Sequence, residues 1–218
     1  MNIEQARFHM IEQQIRPCEV ADQSVLELLS IVKREDFVPA PYKDLAFSDT
    51  EIPLPCGQHM FTPKLEARIL QEAAIKKHEL VLEIGTGSGY MAALLGFKAR
   101  HVTTVEIEPE LKDRAEKNLA AYFLTNVSVE LGDGAQGWGQ AETQYDAIVV
   151  SGSLPYVPES LLKQIKVGGR LLAIVGAAPA MSLQITTRVS DVAYNTIKLL
   201  ETNVKPLRNV AVLSQFKF

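Results

Sequence analysis

The chain has 218 residues, 47% hydrophobic and 22% charged, with a formal net charge of -4 at pH 7. That length suits one well-cored domain rather than two large ones, and the mild acidity gives no footing for general nucleic-acid binding while leaving a local basic cluster open. With two cysteines, Cys18 and Cys56, and no C-x-x-C pair, neither a disulfide framework nor a metal site is expected, and a reduced cytoplasmic setting is the simplest reading. Met1 to Arg7 lacks the basic start and apolar core of a secretory signal. The longest apolar stretch, Leu171 to Met181, is interrupted by Gly176 and Pro179 and reaches only about half of the roughly 20 residues of a membrane span, so no membrane segment is expected.

Taken in order, Ile3, Phe8, Ile11 and Ile15 recur at roughly helical spacing, and Arg16-Pro17 ends that helix. Asp22 can cap a second helix carrying Val25, Leu26, Leu28, Leu29 and Val32, after which Arg34-Glu35-Asp36 reads as a solvated turn. Phe37 to Pro63 is irregular and proline-rich, and a loop of that length in a compact domain is often functional. Thr62-Pro63 pairs a capping threonine with a first-turn proline, opening a helix whose Leu65, Ile69, Leu70 and Ala73 would pack on a sheet. From there strands and helices alternate, as a parallel sheet requires. Strands are expected at 81–84, 102–106, 127–131, 147–150 and 170–175, with helices after the glycines at 85–89, from Glu108-Pro109, and from Pro158 to Lys166. Trp138, flanked by Gly137 and Gly139, reads as a surface-loop anchor. In the tail, the alternation of Leu183, Ile185 and Val189, a turn at Ser190-Asp191, and the run Val210, Val212, Leu213 suggest antiparallel strands finishing the sheet.

The most informative segment is Val81-Leu82-Glu83-Ile84-Gly85-Thr86-Gly87-Ser88-Gly89-Tyr90. An apolar strand ends in an acidic residue, breaks into alternating glycines and feeds an apolar helix, which is the nucleotide-binding corner of a doubly wound α/β fold. A dinucleotide fingerprint, G-x-G-x-x-G, would need glycine at position 90, where Tyr90 stands. The pattern E-x-G-x-G-x-G instead resembles the first motif of S-adenosylmethionine-dependent methyltransferases, although a plain strand-to-helix turn also uses such glycines. Glu106 closes the second strand, where an acidic side chain can hold a ribose diol or stand simply solvated, and Ile107 follows it. The third strand ends at Gly132-Asp133-Gly134, where in this superfamily an acidic residue reaches the adenine amino group and the adjacent amide a ring nitrogen; Asp-Gly is also an ordinary tight turn. The expected cofactor contacts are therefore Glu83, Gly85, Thr86, Gly87, Gly89, Tyr90, Glu106, Ile107, Asp133 and Gly134, with plain packing the alternative for Tyr90. The expected fold is α/β: a Rossmann-like class I S-adenosylmethionine-dependent methyltransferase with a mostly parallel seven-stranded sheet and an N-terminal helical extension. It reads as one domain, with helices and acceptor loop in 1–63 and the cofactor core and C-terminal strands in 64–218.

Over nearly its whole length the chain resembles the protein-L-isoaspartate O-methyltransferases. Arg34-Glu35-Asp36-Phe37-Val38-Pro39 is similar to that family's R-x-x-F-V-P, Asp49-Thr50-Glu51-Ile52-Pro53-Leu54 to its D-x-x-L-P-I, and Gly57-Gln58 to Pro63 to its G-Q-T-I-S-x-P loop. Gly85 to Tyr90 matches G-T-G-S-G-Y at every position; Gly132-Asp133-Gly134, Tyr145-Asp146-Ala147-Ile148 and Gly168-Gly169-Arg170-Leu171 follow in the family's order, and Lys205-Pro206-Leu207 stands at its V-P-L. The resemblance implies methyl esterification, from S-adenosylmethionine, of isoaspartyl carboxylates in damaged proteins, with a protein or peptide partner and a monomer or homodimer. Phe61 stands where the family has a serine at the transfer site, and Ser151-Gly152-Ser153-Leu154-Pro155 where it has T-A-A-A-P. Three readings follow: His59 or Thr62 supplies the lost donor, the pocket takes a different and more apolar acceptor, or the protein binds cofactor without turnover. A loop histidine such as His59 also serves as a surface or packing residue. Asp49 fits the family's acidic position before the loop, or a cap or turn.

Overall fold

The structure, a computed structural model, describes residues 2–140 and 142–210. Asn2 and Asp22 cap the first helices, α1 (Ile3–His9) and α2 (Gln23–Ile31), their side chains accepting from Gln5 N and Ser24 N. Between them Met10–Ile15 is a π-helix, and Arg16 N–H bonds back to Ile11 O at 2.9 Å. The wider turn shifts the helical phase. Ile11 and Ile15 are buried while Ile3 and Phe8 are exposed, so only half of the apolar face expected from the spacing faces the core.

After α3 (Arg34–Phe37), the proline-rich stretch is ordered rather than loose. A 3-10 turn at Ala40–Leu45 leads to a small antiparallel hairpin, β1 (Ile52–Pro53) with β2 (His59–Met60), and then to α4 (Pro63–Ala73). The main sheet follows: β3 (Leu80–Ile84), α5 (Tyr90–Lys98), β4 (His101–Glu106), α6 (Pro109–Ala120), β5 (Val127–Leu131), β6 (Tyr145–Leu154), α7 (Glu159–Lys163), β7 (Ile165–Ala177), β8 (Ala180–Arg188) and β9 (Tyr194–Glu201). Its seven strands run β5-β4-β3-β6-β7-β8-β9, parallel from β5 to β7 and antiparallel at β8 and β9. Val81 to Ile84 are buried together, because helices cover both faces of a parallel sheet, and α5 is buried nearly all round. The chain leaves β3 toward β4 and β5, then crosses back to lay β6 on the other side of β3. Ligands of such sheets sit at the carboxyl ends of the strands flanking that switch point.

One expectation is corrected at the C-terminal side. The helix from Pro158 stops at Lys163 because Ile165 already pairs with Tyr145 as the first residue of β7. Among the described residues the last strand is Tyr194–Glu201. Asn195 to Lys198 are exposed on this edge strand, so no inside-outside alternation marks it in the sequence. Val210 lies in no strand, and Val212 and Leu213 fall outside the described residues.

The Arg34-Glu35-Asp36 cluster is not a solvated turn. Arg34 is 1% exposed: its Nε donates to Glu66 Oε2 at 2.9 Å, Nη1 to Ala46 O at 2.9 Å and Nη2 to Phe61 O at 2.6 Å. Glu35 pairs with Arg7, and Asp36 accepts from the Tyr122 hydroxyl at 2.8 Å. One guanidinium thus joins α3, the turn before the hairpin, the loop after it and α4. Removing one partner of such a buried pair is costly because the other charge is left uncompensated. Arg34→Met should lower unfolding free energy by about 3–5 kcal/mol in urea titrations, and Arg34→Met with Glu66→Leu should recover part of that loss; equal losses in both would contradict this role.

Candidate active site

The glycine turn is fastened to the end of β4. Gly85 N and Thr86 N donate to Val105 O at 2.9 and 3.3 Å, and Gly87 N donates to Glu106 Oε2 at 2.7 Å. Glu108 N donates to Glu106 Oε1 at 3.0 Å, so two backbone amides orient this carboxylate while each oxygen keeps acceptor capacity. Beneath the turn, Glu83 is fully buried. Its Oε2 accepts from Thr104 Oγ1 at 2.7 Å and its Oε1 from Ser151 Oγ at 2.9 Å, while Thr86 and Thr104 share a hydroxyl bond of 2.6 Å. Burial pushes the Glu83 carboxyl up to about 8; the two hydroxyls pull it back, and Glu106 and Glu66 push it further.

The turn opens onto a solvent-connected cleft at the carboxyl ends of the strands. One end is walled by Glu106, Ile107, Asp133 and Gly134, the middle by Glu83, Gly85, Thr86, Gly87 and Tyr90, and the other end by Gln58, His59, Met60, Phe61 and Glu66. Asp133 is held by Ala135 N and Asn209 Nδ2, both at 2.9 Å. Gly89 is the member of the expected cofactor set that does not line the cleft. It starts α5 at φ +83°, and a Cβ there would come within 3.2 Å of the Ala115 Cβ, so it lets α5 approach α6 closely. Of the expected transfer-site residues, His59 lines the cleft from β2, whereas Thr62 and Asp49 do not: the Thr62 hydroxyl caps α4 at Leu65 N, and Asp49 pairs with Lys64 at 2.5 Å. Phe61 is on the wall, partly buried, its carbonyl held by Arg34. Trp138 is partly buried against the core from its loop, and Gln164 bonds its backbone N–H and carbonyl at 3.0 and 2.8 Å.

Sequence reading missed part of the wall. Glu51 and Glu66 line it, Glu66 buried and raised to about 7 by that burial while the Arg34 guanidinium holds it down. Residues 205–208 form a strap across it: Ser153 N donates to Lys205 O at 3.1 Å, Leu207 N to Ser153 O at 3.0 Å, and Arg208 Nη2 to Cys56 O at 2.9 Å. One signal was available. Gly152 interrupts a strand, and a Cβ there would meet the Leu207 side chain at 2.6 Å, the close approach that a mid-strand glycine marks.

A glycine turn between a parallel strand and its helix, with carboxylates closing the next two strands beside the switch point, defines a Rossmann-like class I methyltransferase. Residues 5–209 match the family described as Protein-L-isoaspartate(D-aspartate) O-methyltransferase (PCMT), and the chain belongs to that family. It is 42% identical over 199 residues to the protein-L-isoaspartate O-methyltransferase of Rhodopseudomonas palustris, covering 91% of each chain. It is 41% identical over 177 residues to that of Methanoculleus marisnigri, covering 81% of this chain and 80% of the relative. The fold is similar to a crystal structure of a candidate protein-L-isoaspartate O-methyltransferase from Plasmodium falciparum in complex with S-adenosyl-L-homocysteine. The TM-score is 0.79 at 18% identity, over 95% of this chain and 99% of that one.

Because burial raises the Glu83 carboxyl, the folded state keeps a proton that the unfolded chain releases. The stability this contributes is full below the ordinary value of 4.5 and is lost as pH rises through about 8. Urea stability of the wild type, measured relative to Glu83→Gln, should therefore fall by on the order of 1–4 kcal/mol between about pH 5 and 8.5. The comparison cancels the similar contribution of Glu66. A difference that does not change with pH would contradict a protonated, buried Glu83.

Proposed function

We propose that the protein is an S-adenosylmethionine-dependent carboxyl methyltransferase that esterifies isoaspartyl residues of proteins and peptides. The observation that carries this is the Glu106 carboxylate, preset by two backbone amides beside the glycine turn, in a cleft that continues without a break to the Gln58–Phe61 wall. The donor set suits the cofactor. Glu106 would take the ribose hydroxyls and Asp133 with Gly134 the adenine edge, Ile107 and Leu111 supply apolar wall, and buried Glu83 under the turn faces the amino-acid portion. When bound, S-adenosylmethionine supplies an electrophilic methyl group on a sulfonium.

The chain's own work is then alignment and exclusion of water. A carboxylate is ionised near neutral pH and is itself the nucleophile. One of its oxygens forms the bond to the methyl carbon as the carbon–sulfur bond breaks, the negative and positive charges cancel, and no proton moves. No general base is required, which agrees with a transfer site walled by Phe61 and Met60. In this reading His59 contacts the acceptor from β2, Thr62 fixes the start of α4, and Asp49 steadies the hairpin through Lys64. The chain works as one domain, in protein repair, in the cytoplasm.

The reading is tested by offering labelled S-adenosylmethionine with an isoaspartyl peptide and its normal aspartyl twin. Base-labile label on the isoaspartyl peptide alone is expected; label on both, or on neither with folded protein, would overturn the substrate assignment. Separately, Glu106→Ala should weaken S-adenosylhomocysteine binding by about 1–3 kcal/mol in calorimetry, and unchanged affinity would remove Glu106 from the cofactor site.

A further inference from the structure

The acceptor end of the cleft presents a charge problem. A carboxylate arriving there meets the acidic Glu51 on the wall, while Glu66 is already paired with Arg34 and Glu83 is a protonated acid, and Phe61 offers no hydroxyl to receive it. An incoming anion stripped of water needs a compensating donor, and charge-assisted donors are the strong ones. Two long cations line the cleft, both on the C-terminal strap. Arg208 is committed: it pairs with Glu108 at 2.7 Å and donates to Cys56 O. Lys205 has no ion-pair partner among the described residues.

The placement of Lys205 is specific. Its carbonyl is pinned to the end of β6 by Ser153 N, and its side chain reaches across to the acceptor loop, where the ammonium donates to Gly57 O beside Gln58. An ammonium carries three donors, and this bond uses one. The family pattern that the chain resembles has valine here, so a charge enters the same cleft from which Phe61 removes a hydroxyl.

We propose that Lys205 is the acceptor-binding residue: its ammonium, steadied on the Gly57 carbonyl, holds one oxygen of the substrate carboxylate and leaves the other free to attack the methyl group. This rests on the carboxyl-methyltransferase reading above. The test is Lys205→Gln, which keeps an N–H donor for Gly57 O and loses the charge, with Lys205→Arg as the charge-retaining control. For an isoaspartyl peptide, Lys205→Gln should raise KM at least about 10-fold while S-adenosylhomocysteine affinity and melting temperature stay at wild-type values, and Lys205→Arg should return KM to within about 3-fold. Wild-type KM should also rise with added sodium chloride, as an ion pair requires, and that of Lys205→Gln should not. If the wild type methylates the peptide and Lys205→Gln matches it in KM and salt response, Lys205 only ties the strap to the loop and the proposal fails alone. If the folded wild type transfers no methyl to the peptide, the substrate reading and this inference fail together.

Discussion

The site depends on where β4 stops relative to β3. Parallel pairing sets Ile84 beside Val105, so the glycine turn leaves β3 one residue before Glu106 is reached on the neighbouring strand. That offset lets one carbonyl, of Val105, take the amides of Gly85 and Thr86, and one carboxylate, of Glu106, take the amide of Gly87. A slip of one residue would send Glu106 to the opposite face of the sheet and leave the turn's amides without partners. The buried hydroxyl chain from Thr86 through Thr104 to Glu83, closed by Ser151, fixes the same register from beneath. Protonation of Glu83 lessens the cost of burying a carboxyl there, since a neutral acid loses far less hydration than a carboxylate.

The cleft's two ends are built by different means. The end walled by Glu106 and Asp133 is local: strand, turn, helix and the ends of the next two strands, each a short step along the chain. The opposite end is assembled from segments far apart in sequence. Arg34 clamps the Phe61 backbone to α4, and the strap at 205–208 joins the end of β6 to the hairpin turn at Cys56 and Gly57. Change in the loop that carries Phe61 can therefore leave the glycine turn intact, and Phe61 at the family's serine position accompanies an unaltered G-T-G-S-G-Y.

This division explains how much was legible in the sequence. The glycine spacing, Glu106 and Asp133 could be read because their geometry follows from local periodicity and strand ends. Arg34 and Glu66 could not: each is a charged residue in a polar-looking segment, and its burial depends on a partner 32 positions away. Thr62 and Asp49 stood at the right distance along the chain, but a capping bond and an ion pair claim them away from the cleft. Gly89 belongs to the motif by spacing and to helix packing by geometry. β9 escaped because an exposed edge strand carries no alternation, and the strap because it holds the wall largely through backbone atoms, whose partners no side-chain pattern records.

The most direct test of the account is a crystal structure of the protein with S-adenosylhomocysteine and an isoaspartyl peptide. The account predicts ribose hydroxyls on Glu106, the adenine edge at Asp133 and Gly134, the sulfur directed toward the Phe61 wall, and the peptide carboxylate lying between that sulfur and the hairpin loop. A cofactor bound away from the glycine turn, or a peptide carboxylate bound outside the Gln58–Phe61 end of the cleft, would contradict it.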